Sequence, residues 1–389
     1  MKRLKLLIFT LLVACQLQAQ KTADYVKIDK ETYDALIKKD WKQVTTIGQA
    51  ALTEGVDYYF LRYRIGVAFY EMKQYRAAIP HFEKALIFND FDEVSKEYLY
   101  YSYLFSERYV DAERVSKTFN KATKKKLNIQ PPPFLTTATV ELGTKLPTFD
   151  SLRAMTFTSI GIGHRIGEVA TAFHNFSTIN QTVYYGKVAQ KQYYLGVTVP
   201  LKNGFSIQPV FHLIDLNLTS TSKYVSSFHR TDFLGAVQVS KHFTFFDASV
   251  NASQSNLYNK SQTQVGAGVT IYPQFNNQLA LSANATWQKD STVSTILFQL
   301  GARYRPTAQW ELSAHFYSGN ALNVNEINGF LVNNSYDVLK NRFGAMARFY
   351  ATKNLSVYAL GQFENRTESY YKVNYQNMTL GIGLQWLFL

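Results

Sequence analysis

The sequence predicts an α+β chain in two parts: a short α-helical repeat array, then an antiparallel transmembrane β-barrel of about 14 strands, with roughly 12 to 16 compatible with the pattern. Three observations predict it. The spacing of apolar residues changes from helical to alternating after Pro133. The composition is rich in aromatics and poor in charge, yet no internal stretch is apolar enough for a membrane helix. The first residues also have the layout of an export signal.

Of the 389 residues, 46% are hydrophobic and 18% charged, with 27 Tyr and 28 Phe. A soluble chain carries about 25% charge. Mean hydropathy is nevertheless slightly negative, at -0.18, and a spanning helix needs about 20 consecutive apolar residues. A β-barrel reconciles the two, because only every second residue of a strand faces lipid. The net charge of +13 is spread along the chain. Its densest basic run, Lys121-Ala-Thr-Lys124-Lys125-Lys126, sits beside a proline run. That pattern fits a solvated segment near an anionic membrane surface better than a nucleic-acid site.

Residues 1–19 read as a signal peptide. Lys2, Arg3 and Lys5 form the positive region, Leu6 to Ala14 the apolar core, and Leu17-Gln18-Ala19 a cleavage site with an oversized Leu17. Leu12-Val13-Ala14-Cys15 also fits a lipoprotein signal in which Cys15 is lipidated, and the sequence leaves both readings open. Cys15 is the only cysteine. Cleavage after Ala19 would remove it, and with it any disulfide or thiolate chemistry.

Residues 20–125 have helical periodicity with a longer repeat superposed. Trp41, Tyr75 and Tyr109 are 34 residues apart, as are Val44, Ala78 and Ala112. In the middle copy, Gly66, Phe69, Tyr75, Ala78, Phe82 and Ala85 resemble the packing residues of a tetratricopeptide repeat. The outer copies depart from that pattern, with Thr32 in place of the glycine and Ser116 and Phe119 in place of the later Phe and Ala. The resemblance implies paired helices and a concave groove for a protein partner, lined by Tyr33, Tyr63, Tyr70, Glu71, Glu97 and Tyr101. Residues 126–133 follow as a Lys/Pro-rich linker, stiffened by Pro131-Pro132-Pro133.

Residues 134–389 alternate. Leu279, Leu281, Ala283, Ala285 and Trp287 share one face; Trp310, Leu312, Ala314 and Phe316 share another. The last strand is cleanest, with Met378, Leu380, Ile382, Leu384, Trp386 and Phe388 in step and an aromatic near the end, as in outer-membrane proteins. Tight turns such as Leu201-Lys202-Asn203-Gly204 are expected to alternate with longer connections near 178–187, 217–225, 254–261 and 319–335. Short turns on one side and long loops on the other place the short side, and the helical array, in the periplasm. Pro209 inside a strand predicts a bulge or local irregularity.

The chain carries no HExxH, phosphate loop or Cys/His metal spacing, so no cofactor or metal is expected. The glycines of Gly161-Ile-Gly163-His-Arg-Ile-Gly167 have the wrong spacing for a dinucleotide loop. Like Gly266/Gly268 and Gly381/Gly383, they fit small inward residues. The histidines His164, His174, His212, His229, His242 and His315 form no recognisable Ser/His motif. By alternation, Arg303, Glu311 and Arg348 face the lumen near the short turns, on the tenth, eleventh and twelfth strands. They suit an ion-pair brace, a charged constriction or a docking surface for a plug.

Helical repeats joined to a barrel resemble exopolysaccharide-export porins and smaller repeat-plus-barrel outer-membrane proteins of Gram-negative bacteria. That resemblance implies a non-enzymatic outer-membrane protein whose repeats recruit a periplasmic partner in export or assembly of a surface polymer. Outer-membrane lipid, lipopolysaccharide and a polysaccharide would then be its surroundings and cargo, with no nucleic acid. A passive channel or small hydrophobic-molecule transporter is the alternative reading, and a lipid-modifying barrel enzyme a second one.

Overall fold

The structure is a computed structural model and describes residues 24–388 except 169, 291–292, 324, 327–328, 333–334 and 336. The signal segment expected over residues 1–19, with Cys15, lies outside the described residues.

Seven helices come first: α1 (Tyr25–Ile37), α2 (Trp41–Thr53), α3 (Tyr59–Glu71), α4 (Tyr75–Phe88), α5 (Glu93–Phe105), α6 (Tyr109–Lys117) and α7 (Lys121–Lys126). The 34-residue spacing now has a structural meaning, since Trp41, Tyr75 and Tyr109 each open the second helix of a pair. Side-chain oxygens of Asp24, Asp40, Asp92 and Asn120 cap helix starts by accepting from free backbone N–H groups. Leu61, Ile65, Ala78, Phe82, Leu99 and Tyr103 form the core of the array. Gly66 is obligatory there, because the Phe82 ring lies where a Cβ would stand. Lys124 to Lys126 complete the last turn of α7, and Lys126 reaches Glu97 at 2.8 Å.

The barrel strands are β1 (Leu135–Pro147), β2 (Leu152–Ile166), β3 (Ala170–Val183), β4 (Gly186–Pro200), β5 (Phe205–Ser220), β6 (Phe228–His242), β7 (Phe246–Ser255), β8 (Gln262–Ile271), β9 (Leu279–Lys289), β10 (Ser294–Tyr304) and β11 (Trp310–Ala321). A two-stranded hairpin follows, β12 (Asn325–Glu326) and β13 (Leu331–Val332). The barrel then resumes with β14 (Val338–Tyr350), β15 (Leu355–Thr367) and β16 (Asn374–Leu387). Its fourteen strands are antiparallel, and β16 pairs with β1 to close the ring, with Val140 opposite Leu384 and Gly143 opposite Gly381. Closure satisfies every edge, which lipid could not do.

Alternation holds around the whole ring. Leu142, Ile160, Phe298, Phe363 and Ile382 point outward and are about half exposed, forming the lipid-facing belt. Inward glycines admit large neighbours: a Cβ at Gly161 would strike Phe173, and one at Gly383 would strike Tyr358. One expectation is corrected and one is sharpened. The connection expected to be long at 178–187 is a two-residue turn, Tyr184-Tyr185, because β3 and β4 stay paired as far as Val183 and Gly186. At Pro209 the expected irregularity takes the form of an interrupted pairing with β4 rather than a bulge; the β5–β6 register runs straight through it, opposite Val237. A proline lacks one donor, so losing one ladder contact accommodates it without an extra residue.

Candidate functional site

Both ends of the barrel are engaged, by different parts of the chain. At the short-turn end the helical array lies against five of the six connections. The α3–α4 corner makes the densest contact. The Arg76 backbone N–H donates to the Phe275 carbonyl at 2.9 Å. Its guanidinium donates to the carbonyls of Phe243 (2.8 Å) and Thr244 (3.2 Å), pairs with Asp247, and stacks 3.9 Å above the Tyr272 ring. Phe275 packs into the edge of the array core, and the Asn276 amide donates to the Lys73 carbonyl at 3.1 Å.

Farther round the rim, α6 supplies three contacts. Glu113 pairs with Arg165 at 2.7 Å and Lys117 with Glu168 at 2.9 Å. Arg114 donates to the carbonyls of Pro200 (2.7 Å) and Leu201 (2.8 Å). The α5–α6 turn places Glu107, in a left-handed backbone conformation, over the β10–β11 connection. There it pairs with Arg303 at 3.0 Å and with Arg305.

This is where two of the three sequence-derived lumenal charges sit. Glu311 is 3.8 Å from Arg303 and 4.0 Å from Arg348, so the structure brings all three together. Arg348 also bonds to Ser356 at 3.2 Å and to Gln385. Sequence reasoning missed Arg305, which donates to Glu311 at 2.6 Å, and missed Glu107 altogether. Two arginines flanking one short turn were a usable signal for Arg305. Nothing in the sequence marked Glu107, whose partner lies 196 positions away.

At the long-loop end the segment joining β11 to β14 turns into the lumen. On one side it is held by apolar contact: Val332 joins Ile214, Leu234 and Leu257, while Phe330 meets Tyr194 edge-on at 5.0 Å. The Gly329 carbonyl bonds to the buried His212 ring at 2.7 Å. On the other side Glu326 pairs with Arg342, which donates to Glu364 at 2.9 Å. Glu364 also accepts from Arg366 (2.8 Å) and Lys145 (3.2 Å). Buried ions need such mutual pairing, because an isolated charge out of water is costly.

The groove residues expected from the repeat resemblance are differently placed. Tyr63 and Tyr70 belong to a ring cluster with Tyr98, Phe82 and Phe105. Glu97 pairs with Lys126, and Tyr101 stacks on Phe105. Tyr33 and Glu71 are exposed. In α4 burial, and then the nearby Arg62 guanidinium, push His81 down to about 4, with Asp57 acting the other way. Among the barrel histidines, His164 and His174 share a 3.0 Å contact on the lipid-facing side, with Tyr193 bonded to His174 at 2.7 Å. His229 pairs with Asp215, His242 approaches Asp247 at 2.9 Å, and the His315 ring covers Gly344.

No family model and no curated protein matches the chain. Solved structures with a similar fold include several barrels. The CymD monoaromatic hydrocarbon channel is 9% identical, with 69% of this chain and 91% of that one covered and a TM-score of 0.49. A bacterial polysaccharide outer membrane secretin is 11% identical, covering 66% and 99%, with a TM-score of 0.40. The Acinetobacter baumannii outer membrane protein Omp33 is 9% identical, covering 66% and 99%, with a TM-score of 0.37. The architecture rests on the chain's own strand pairing: a closed fourteen-stranded antiparallel β-barrel preceded by a helical array.

Proposed function

We propose that the protein is a non-enzymatic outer-membrane channel for small polar solutes, closed at rest, with its helical array in the periplasm acting as the gate of the short-turn mouth. One observation carries the reading: the array is fastened across five of six short connections, mainly by charged side chains at the rim. The pairs made by Glu107, Glu113 and Lys117 are partly exposed, individually worth little and screened by salt, so they suit a closure that opens about the buried Arg76–Asp247 anchor. Polar residues line much of the inward face at mid-depth, among them Asn175, Gln238, Asn251, Asn284 and Gln299, and favour a hydrated solute over an apolar one.

The test is solute flux into proteoliposomes, comparing the full chain with Glu107→Gln combined with Glu113→Gln. Faster uptake by the double variant supports a gate. Equal and negligible flux in both removes the channel reading. Recruitment of a periplasmic partner for polymer export would draw first on exposed Tyr33 and Glu71, since Tyr63, Tyr70 and Tyr101 pack against other rings of the array and Glu97 pairs with Lys126. A crosslinked pull-down from native outer membranes, in which partners are lost on Tyr33→Ala, would restore it.

A further inference from the structure

Beneath α4, where the array overhangs the barrel wall, lies an open cleft of about 660 Å³. Its array side is apolar, formed by Ile79, Pro80, Leu86 and Ile87, and its barrel side is the β6–β7 turn with Lys241 and Phe243. Lys241 is on the outward face of β6, in step with Phe233 and Val237 of the lipid-facing belt. The cleft is therefore continuous with the membrane surface at the short-turn boundary.

The charges in its wall are unequal in status. Arg76 and Arg108 are neutralised by Asp247 and Asp111. Lys241 has only aromatic neighbours, 4.0 Å above the Phe205 ring and 5.5 Å from that of Phe243, and no carboxylate within ion-pair distance among the described residues. Glu83 is exposed in the same wall, and its carboxylate accepts only the Tyr103 hydroxyl. Ile87 is 73% exposed, an unusual position for an isoleucine that has nothing to cover it. One cation, one anion and an apolar wall at a bilayer boundary are complementary to a zwitterionic amphiphile.

We propose that this cleft binds a phosphatidylethanolamine of the adjoining leaflet. Lys241 takes the phosphodiester, Glu83 takes the ammonium, and one acyl chain runs along Ile79, Ile87 and Phe243. The lipid wedges between array and wall, and this site stands whether or not the barrel conducts.

Native mass spectrometry of the full chain in mild detergent tests it, with phosphatidylethanolamine and phosphatidylglycerol of identical acyl chains as probes. The wild type is expected to retain phosphatidylethanolamine in preference. Lys241→Gln should weaken both lipids by about tenfold, the scale of one charge-assisted hydrogen bond. Glu83→Gln should abolish the preference, and Ile87→Glu should lower both. Folding of each variant is checked by the heat-modifiable mobility of the barrel. Equal lipid occupancy in folded wild type, Lys241→Gln and Ile87→Glu overturns the site. Tighter binding of phosphatidylglycerol by the wild type overturns the headgroup assignment.

Discussion

The two ends of this barrel are closed by different physics. At the long-loop end the closure belongs to the barrel's own chain and is buried: apolar on the β5–β6 side, ion-paired on the β14–β15 side. At the short-turn end a separate unit is laid across the mouth; its Arg76 anchor is buried at 3% exposure, but its other charged contacts are partly wetted, Glu107 and Arg303 each retaining about a quarter of their side-chain exposure. Burial makes the first closure strong and slow to break. Exposure makes the second, away from the buried Arg76 anchor, weak, salt-sensitive and divisible into small steps. On the proposed reading, a channel with one fixed constriction and one movable cover needs this inequality.

The largest expected effect lies in the buried closure. Glu364→Gln leaves Lys145, Arg342 and Arg366 with one counter-charge fewer, and such a loss costs about 3–5 kcal/mol. The barrel's heat-modification temperature should fall and lumenal noise in single-channel records should rise. An unchanged melting profile would mean that the hairpin is held by its apolar side alone.

Next comes Phe82→Ala. Phe82 is fully buried in the array core, and truncation should cost about 3–5 kcal/mol of array stability. The barrel should keep its heat-modifiable mobility while protease cleaves the array, which separates the two units by a single substitution. Simultaneous loss of both would show that the cover and the barrel fold as one.

Acid should loosen the cover in the same direction. His81 titrates at about 4 in the folded array against an ordinary value of 6.5. The unfolded chain therefore binds the extra proton first, and stability is full above pH 6.5 and declines as pH falls toward 4. The loss amounts to about 3 kcal/mol at the low end of that window. Protease sensitivity of the array against pH measures it, and His81→Gln should flatten the profile.

The smallest effect is expected at the rim. Glu107→Gln removes one partly exposed carboxylate from Arg303 and Arg305, worth about 1 kcal/mol or less. Its mark is salt dependence: flux through the wild type should rise toward that of the variant as ionic strength increases. Parallel salt curves would place the closing contacts elsewhere, with Arg76 the first candidate.

How much of this was legible in the sequence differs between the two units. Strand alternation was readable throughout, since lipid on one side and lumen on the other force Leu380, Ile382 and Leu384 into step. Arg303, Glu311 and Arg348 were placed inward by the same parity. Strand ends were not: the β3–β4 turn was read as a long loop because Gln181, Thr182 and Lys187 are polar. The lumen tolerates polar residues where a soluble sheet core does not.

The amino-acid sequence alone determined the two architectures, because periods of 3.6 and 2 are properties of neighbours along the chain. It determined which face of each strand meets lipid, and the 34-residue repeat that spaces the helix pairs. Only the tertiary structure decided that Glu326, Gly329, Phe330 and Val332 enter the lumen and that Glu107, Glu113 and Arg76 fasten the array across the mouth. Those partners are separated by tens to hundreds of positions, and no local pattern encodes a contact made by two surfaces that meet after each has folded.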